Sequence, residues 1–510
     1  MNTTYAHILI AIFFLLVSCE SEFQSSIEDN EVYLSGEADF SNFVSVGNSL
    51  TAGFADNALY KEAQLQSFPK ILADQFALVG GGEFTQPLVE DNIGGLLLNG
   101  NRIPGYDTRL VLSTQSDSPL PANITGTPQT DIANILRGPF NNMGVPGAKS
   151  YHLGLNGYGD ISSIESMANP YFVRFASSPH ASIIEDAVAQ SPSFFSLWVG
   201  NNDILGFATS GGIGQDQTGN LDPSTYSSTD ITDPNVFGQL YLQYIDALTA
   251  NASGGVVYNI PDVTNIPFFT TVPRKAIPLD EPTAALLNSQ FAVYNQQILP
   301  ELASVGLISE NEAIQRQVSF QEGQNYVTLN DESLTDISVV LTNPPFNLDP
   351  QTAALLGQVR QATEEDLIPL AASENIGNIV NNDSSLISGV TVPLGDESVL
   401  TVNEQMMINN ARTAYNAIIK NAAQDYGLAF VDINQLLEES QTGIPFDSGV
   451  LSSTFITGGA FSLDGVHLTP RGYALVANET IMEINSSYGA NLPLVNLGDF
   501  RTIVASDEVN

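Results

Sequence analysis

Four short apolar runs punctuate the chain: FVSVG at 43–47, FFSLWV at 194–199, GVVYNI at 255–260 and LAFVDI at 428–433. Each has the length and the β-branched and aromatic content of a buried strand. Between them lie stretches with helical periodicity: Leu59 to Phe76, Phe237 to Ala250, Pro282 to Ala303, Val402 to Tyr426, and Thr469 to about Ile484. Strands that alternate with helices pair in parallel through crossover connections, so the pattern predicts an α/β sheet covered by helices. Right-handed crossovers gather the carboxyl ends of such strands on one edge, where loops carry the chemistry.

Two segments exceed what a minimal α/β domain needs. Residues 79–140 are rich in Gly, Asn, Pro and Thr, with little periodicity, and are too long for an ordinary connection. They read as a loop excursion over the site, a lid or a small subdomain. Their apolar runs at 94–98 and 110–112 either cover the site or form that subdomain's own core. Residues 305–400 mix short β-like runs with helical ones and read as an insertion between two core elements. The main domain is expected over 40–490, followed by a tail at 491–510. The sequence has no 20–50 residue repeat and no heptad array.

Charge narrows the partners. Fifteen Lys plus Arg stand against 56 Asp plus Glu, a formal charge of -41 that repels phosphate backbones and anionic headgroups, so nucleic acid is excluded as a partner. Residues 8–17, ILIAIFFLLV, are too short to span a bilayer as a helix and suit a signal-peptide core, giving a signal peptide over 1–18. The run ends in Leu16-Val17-Ser18-Cys19, which resembles a bacterial lipobox, and Cys19 is the only cysteine. Lipidation there would anchor the chain to a membrane of the cell envelope. The polar, acidic residues 19–39 read as a flexible tether, and their early acidic positions resemble the surface-export signals of Bacteroidetes lipoproteins.

FVSVG runs directly into Asn48-Ser49, which places Ser49 in a tight turn at the carboxyl end of a strand. A serine nucleophile needs a base, an orienting carboxylate and fixed donors for the oxyanion. Beyond the amino-terminal segment only His152, His180 and His467 can be the base. His180 lies in the polar loop SSPHASI, and His152 in KSYHLGL reads as a core or loop histidine. His467 has Asp464 three residues before it, on a loop that Thr469 and Pro470 convert into a helix as N-cap and first-turn residue. Such a loop can fold back so that the carboxylate holds Nδ1–H and leaves Nε2 free. WVGNND at 198–203 follows a strand and offers the Asn202 amide as a donor. NNMGVPGAKS at 141–150 offers a backbone N–H at Gly147, with Gly144 as the alternative. The histidine spacings give no zinc pattern and no EF-hand loop appears, so neither cofactor nor metal is expected.

Taken in order, Gly47-Asn48-Ser49-Leu50, Gly147, Gly200-Asn201-Asn202-Asp203 and Asp464-x-x-His467 resemble the four blocks of the SGNH/GDSL hydrolase family, and NIPDVTNIPFF at 259–269 is similar to a segment of its longer bacterial members. The resemblance covers residue 43 to about 485. It implies a flavodoxin-like three-layer α/β/α sandwich with large insertions. It also implies a nucleophile at Ser49, a base at His467 with Asp464 as its partner, and an oxyanion hole from Ser49 N–H, Gly147 N–H and the Asn202 side chain. Asn48 stands where the family pattern has Asp. The activity implied is carboxylic-ester hydrolysis of the esterase or lipase type through an acyl-enzyme. Lipid esters, aryl esters and acetylated glycans are all compatible substrates, and the apolar runs of 79–140 lean the reading towards lipid or short acyl esters. The alternative is a non-catalytic surface lipoprotein that binds glycans or assists an outer-membrane transporter.

Overall fold

The computed structural model describes residues 32–115 and 119–510. The expected signal peptide at 1–18, Cys19 and the first part of the expected tether lie outside the described residues. Five strands pair in parallel: β1 (Phe43–Gly47), β2 (Asn142–Gly144), β3 (Phe194–Trp198), β4 (Gly254–Tyr258) and β5 (Ala429–Val431). Their spatial order is β2-β1-β3-β4-β5. This is the flavodoxin-like order, in which sheet growth reverses between β1 and β3 and leaves a crevice at their carboxyl ends. Every residue of β1, β3 and β4 is buried, as expected of parallel strands covered on both faces. Two inward serines, Ser45 and Ser196, are register neighbours and satisfy each other through a 2.6 Å hydrogen bond.

The helices that frame the sheet are α1 (Ser49–Ala52), α2 (Phe68–Ala77), α3 (Ile183–Val188), α4 (Asn202–Thr209), α5 (Pro234–Thr249), α6 (Val402–Tyr426), α7 (Ile433–Thr442) and α8 (Pro470–Tyr488). Helices α2 and α8 pack together on one face, where Phe68 meets Trp198, and where Phe76 and Tyr488 meet Phe194. Helices α3, α5 and α6 form the other layer. The result is the three-layer α/β/α sandwich that the resemblance implies.

Three local departures from the sequence pattern have physical causes. The stretch Leu59 to Phe76 splits into Lys61–Gln64 and α2, because Ser67 is extended and Pro69 lies in the first turn of α2, where its missing N–H costs nothing. The stretch Pro282 to Ala303 runs as Glu281–Val293, a π turn at Tyr294–Ile298, then Leu299–Ser304; the turn precedes Pro300, whose ring cannot sit under a regular helical carbonyl. β2 is absent from the list of apolar runs because it is three residues of Asn, Met and Gly.

A second hydrophobic core gathers residues between Val272 and Val399, apart from the core around the sheet. The helix Glu281–Val293 packs there. Within 79–140, Leu110–Ser113 and Leu120–Asn123 pair as a hairpin, and Ala505–Ser506 from the tail adds a parallel strand. Leu96 and Val111 are buried, so the apolar runs of this segment serve packing. At the other end of the chain, Glu37 N–H donates to Tyr488 O at 2.8 Å and Ala38 is buried. The Tyr488 hydroxyl in turn accepts from Gly255 N–H at the amino end of β4.

Candidate active site

β1 stops at Gly47 because a Cβ there would meet Thr51 Oγ1 at 2.2 Å and the Trp198 carbonyl at 2.5 Å. The chain then turns at Asn48, whose Oδ1 accepts from Leu50 N–H at 3.1 Å and caps α1. Asparagine therefore supplies the capping oxygen without a charge. Ser49 is the first residue of α1, so its own N–H has no intrahelical acceptor.

The loop before α8 brings the base to this serine. Thr469 caps α8 by accepting from Gly472 N–H, with Pro470 next to it as the sequence predicts. His467 Nε2 lies 2.9 Å from Ser49 Oγ, and His467 Nδ1 lies 2.9 Å from Asp464 Oδ2. Asp464 is largely enclosed, its side chain 9% exposed, and receives five donors. Ser462 Oγ–H, Val466 N–H and His467 N–H reach Oδ1, while Asn57 N–H and the imidazole reach Oδ2. Burial alone would push its carboxyl up, but the imidazole and the N–H donors outweigh that and hold it well below the usual carboxylate range.

The donor side is built from the ends of β2 and β3. Gly144 is paired with Gly47 in the sheet and its N–H donates to Asn142 Oδ1 at 2.9 Å, so that donor is occupied. Gly147 has φ +81, and its N–H has no hydrogen-bond partner among the described residues. Asn202 opens α4 and donates one amide hydrogen to the Ala148 carbonyl at 2.9 Å, leaving the second free. The next residue, Asp203, is fully buried and accepts from Ser150 N–H and Oγ–H. These two bonds fasten the Gly147 loop to α4.

Residues that sequence reading did not single out hold the frame. Asp56 and Asn57 both have positive φ, 52 and 59, in a tight turn closed by Ala55 and Ala58. Asp56 N–H donates to Ser462 Oγ, Asp56 Oδ1 accepts from Leu463 N–H, and Oδ2 accepts from the Tyr60 hydroxyl. Burial pushes the Asp56 carboxyl up. The Asp-Asn dipeptide is itself a signal for such a turn, since both residues tolerate the left-handed region. Of the other histidines, His180 is exposed. His152 stacks on Tyr158 and accepts from Lys149 N–H; burial, aided by the Lys149 charge, lowers it to about 3 and keeps it neutral.

Two cavities meet at Ser49 and His467. One is a narrow cavity of about 90 Å³ walled by Leu205, Val263, Ile266, Leu436, Leu437 and Phe461. The other is wider and more polar, edged by Tyr106, Tyr151, Tyr158, Tyr171, Tyr226 and Asn169. Residues 79–140 contribute Gly105 and Tyr106 to it; the apolar runs at 94–98 and 110–112 line neither cavity, which removes the reason to read them as a cover. The groups around Ser49 are those of proton transfer and oxyanion binding, and among the described residues no metal-ligating cluster adjoins it.

No family model matches the chain, and no curated protein matches it in sequence. Among solved structures it is similar to a catalytic mutant of an acetylxylan esterase from Geobacillus stearothermophilus, with TM-score 0.29 and 9% identity over 88% of this chain and 95% of that one. It is also similar to an extracellular lipase from Streptomyces rimosus, with TM-score 0.28 and 11% identity over 88% and 99%. At that distance the likeness adds no weight, and chemistry is read from the side-chain geometry.

Proposed function

We propose that this protein is a serine-dependent hydrolase of carboxylic esters. The observation that carries the reading is the relay of two 2.9 Å contacts from Ser49 through His467 to Asp464. In this scheme Ser49 Oγ attacks the ester carbonyl while His467 Nε2 takes its proton. The developing oxyanion accepts from Ser49 N–H, Gly147 N–H and the free amide hydrogen of Asn202. His467 then returns the proton to the departing alcohol, and water, deprotonated by the same imidazole, releases the acid from the acyl-enzyme. Asp464 stays ionised throughout, fixing the tautomer and stabilising the imidazolium.

The apolar cavity supports placing the acyl chain there, against Leu436 and Leu437, and the tyrosine-edged cleft supports placing the alcohol portion on the opposite side. Anchoring of the chain in the cell envelope through lipidated Cys19 belongs to the same proposal. It is tested by metabolic labelling with a fatty-acid analogue in cells producing the wild type or Cys19→Ala.

Hydrolysis of p-nitrophenyl esters from acetyl to palmitoyl tests the catalytic reading. Wild type should turn over, and Ser49→Ala and His467→Ala should each lose on the order of 10⁴ or more in kcat. Equal rates in folded samples of all three would overturn it.

A further inference from the structure

Away from the nucleophile, three carboxylates from three segments converge. Glu332 follows the strand Thr328–Asn330 of the second core, Asp396 lies where that core returns to the sheet domain, and Glu404 sits in the first turn of α6. Each offers an oxygen, and the three oxygens lie within 4.8 Å of one another. Like charges so close repel. Burial and the neighbouring carboxylates push both Asp396 and Glu404 well above the usual carboxylate range.

Glu404 has a local role that accounts for only half of its carboxylate. Oε2 accepts from Thr401 N–H and Oγ–H, completing a capping box at the start of α6. Oε1 is buried, on a residue only 3% exposed, and has no hydrogen-bond partner among the described residues. An acceptor buried without a donor is destabilising, the more so for a charged group. Oε1 lies 2.0 Å from where a Cβ on Gly212 would fall, so the left-handed Gly212 makes room for an oxygen that receives no donor among the described residues. Glu332, by contrast, is exposed and leaves the cluster open to solvent.

We propose that Glu332, Asp396 and Glu404 form a binding site for a hard divalent cation, calcium by the number of protein carboxylates, which ties the second core to the amino end of α6. Oxygen ligands suit calcium, and three protein carboxylates meeting at one point suit it better than magnesium, which keeps several of its waters and takes only one or two carboxylates. The cation supplies the positive charge that the unpartnered Oε1 lacks, and it cancels the repulsion among the three acids. Because the site joins residues from both cores, it would act on how firmly the insertion is held, independently of the ester chemistry.

The test is calcium titration by calorimetry, with thermal midpoints, on the chelator-treated protein beside Glu332→Gln and Asp396→Asn. Wild type should bind one calcium with Kd at or below about 10⁻³ M and gain midpoint, and each variant should weaken binding at least about 10-fold and lose most of the gain. Magnesium at the same concentration should give a smaller gain. The proposal is overturned if calcium leaves the wild-type midpoint unchanged, or if both variants gain as much as wild type, which would mark diffuse binding to the acidic surface. It is overturned as well if the variants are more stable than wild type in saturating calcium, since the cluster would then be bare repulsion.

Discussion

The backbone N–H of Asn57 donates to Asp464 Oδ2 at 2.9 Å, the same oxygen that faces His467 Nδ1. The carboxylate is thus aimed by a turn more than 400 residues away in sequence, and that turn depends on a left-handed residue at φ 59. Asn57→Val should strain this conformation by about 1–3 kcal/mol and loosen Asp464, lowering kcat with KM little changed. Asn57→Gly, which keeps the N–H and accepts the φ, should retain most of the activity. Steady-state kinetics on a short-chain ester separates the two.

The two glycines of NNMGVPG should fail in different ways. A Cβ on Gly144 would meet Ala52 N at 2.3 Å, so Gly144→Ala should damage folding and lower the thermal midpoint. A Cβ on Gly147 would approach only Asn169 Nδ2, at 3.8 Å, so Gly147→Ala meets open space but an unfavourable φ of +81. It should fold and turn over more slowly. Asn202→Ala should cost about 10²–10³ in kcat, as expected for removal of one oxyanion donor.

Chain-length preference should follow the wall of the apolar cavity. Leu436→Trp fills space next to Leu437 and should lower kcat/KM for octanoyl esters by about 10-fold or more while sparing acetyl esters. The ratio of the two, measured on one preparation, is insensitive to the fraction of active protein. An unchanged ratio would place the acyl chain elsewhere.

Asp56 and Asp464 should push acid stability in opposite directions. The Asp464 carboxyl is lowered on folding, so its contribution is full above the unfolded value near 3.9 and is lost as pH falls towards the folded value. The Asp56 carboxyl is raised, so its contribution favours folding at low pH and is lost as pH rises through the unfolded and then the folded value. Asp464→Asn should therefore be less stable than wild type at pH 7, with the gap closing below about pH 5. Asp56→Asn can keep both of its side-chain hydrogen bonds with the amide reversed at Tyr60, and should match or exceed wild type at pH 7. Thermal midpoints from pH 7 to 3 report both.

Much of the frame was legible because strands buried on both faces write themselves as apolar runs: FVSVG and FFSLWV are β1 and β3 almost residue for residue. Asp464 and His467 were legible because three residues before a proline-started helix are a short lever. β2 was hidden because three residues at the sheet edge need no apolar run. The partition of the insertion was hidden for another reason, since the apolar residues of Glu281–Val293 lie on more than one side of the helix, with Leu286 and Val293 exposed, and do not say which core receives it. The Asp56-Asn57 turn was visible as a dipeptide, but its partner, the 462–464 loop, is a matter of tertiary structure alone.

The docking of Glu37 on Tyr488 places the amino-terminal end of the described chain on one side of the sheet. That contact lies at the amino edge of the sheet, whereas Ser49 lies at the carboxyl edge, and five residues of strand set them about 15 Å apart. The mouth of the cleft therefore faces away from the edge at which residue 37 docks, and a bulky ester could reach it without passing that edge.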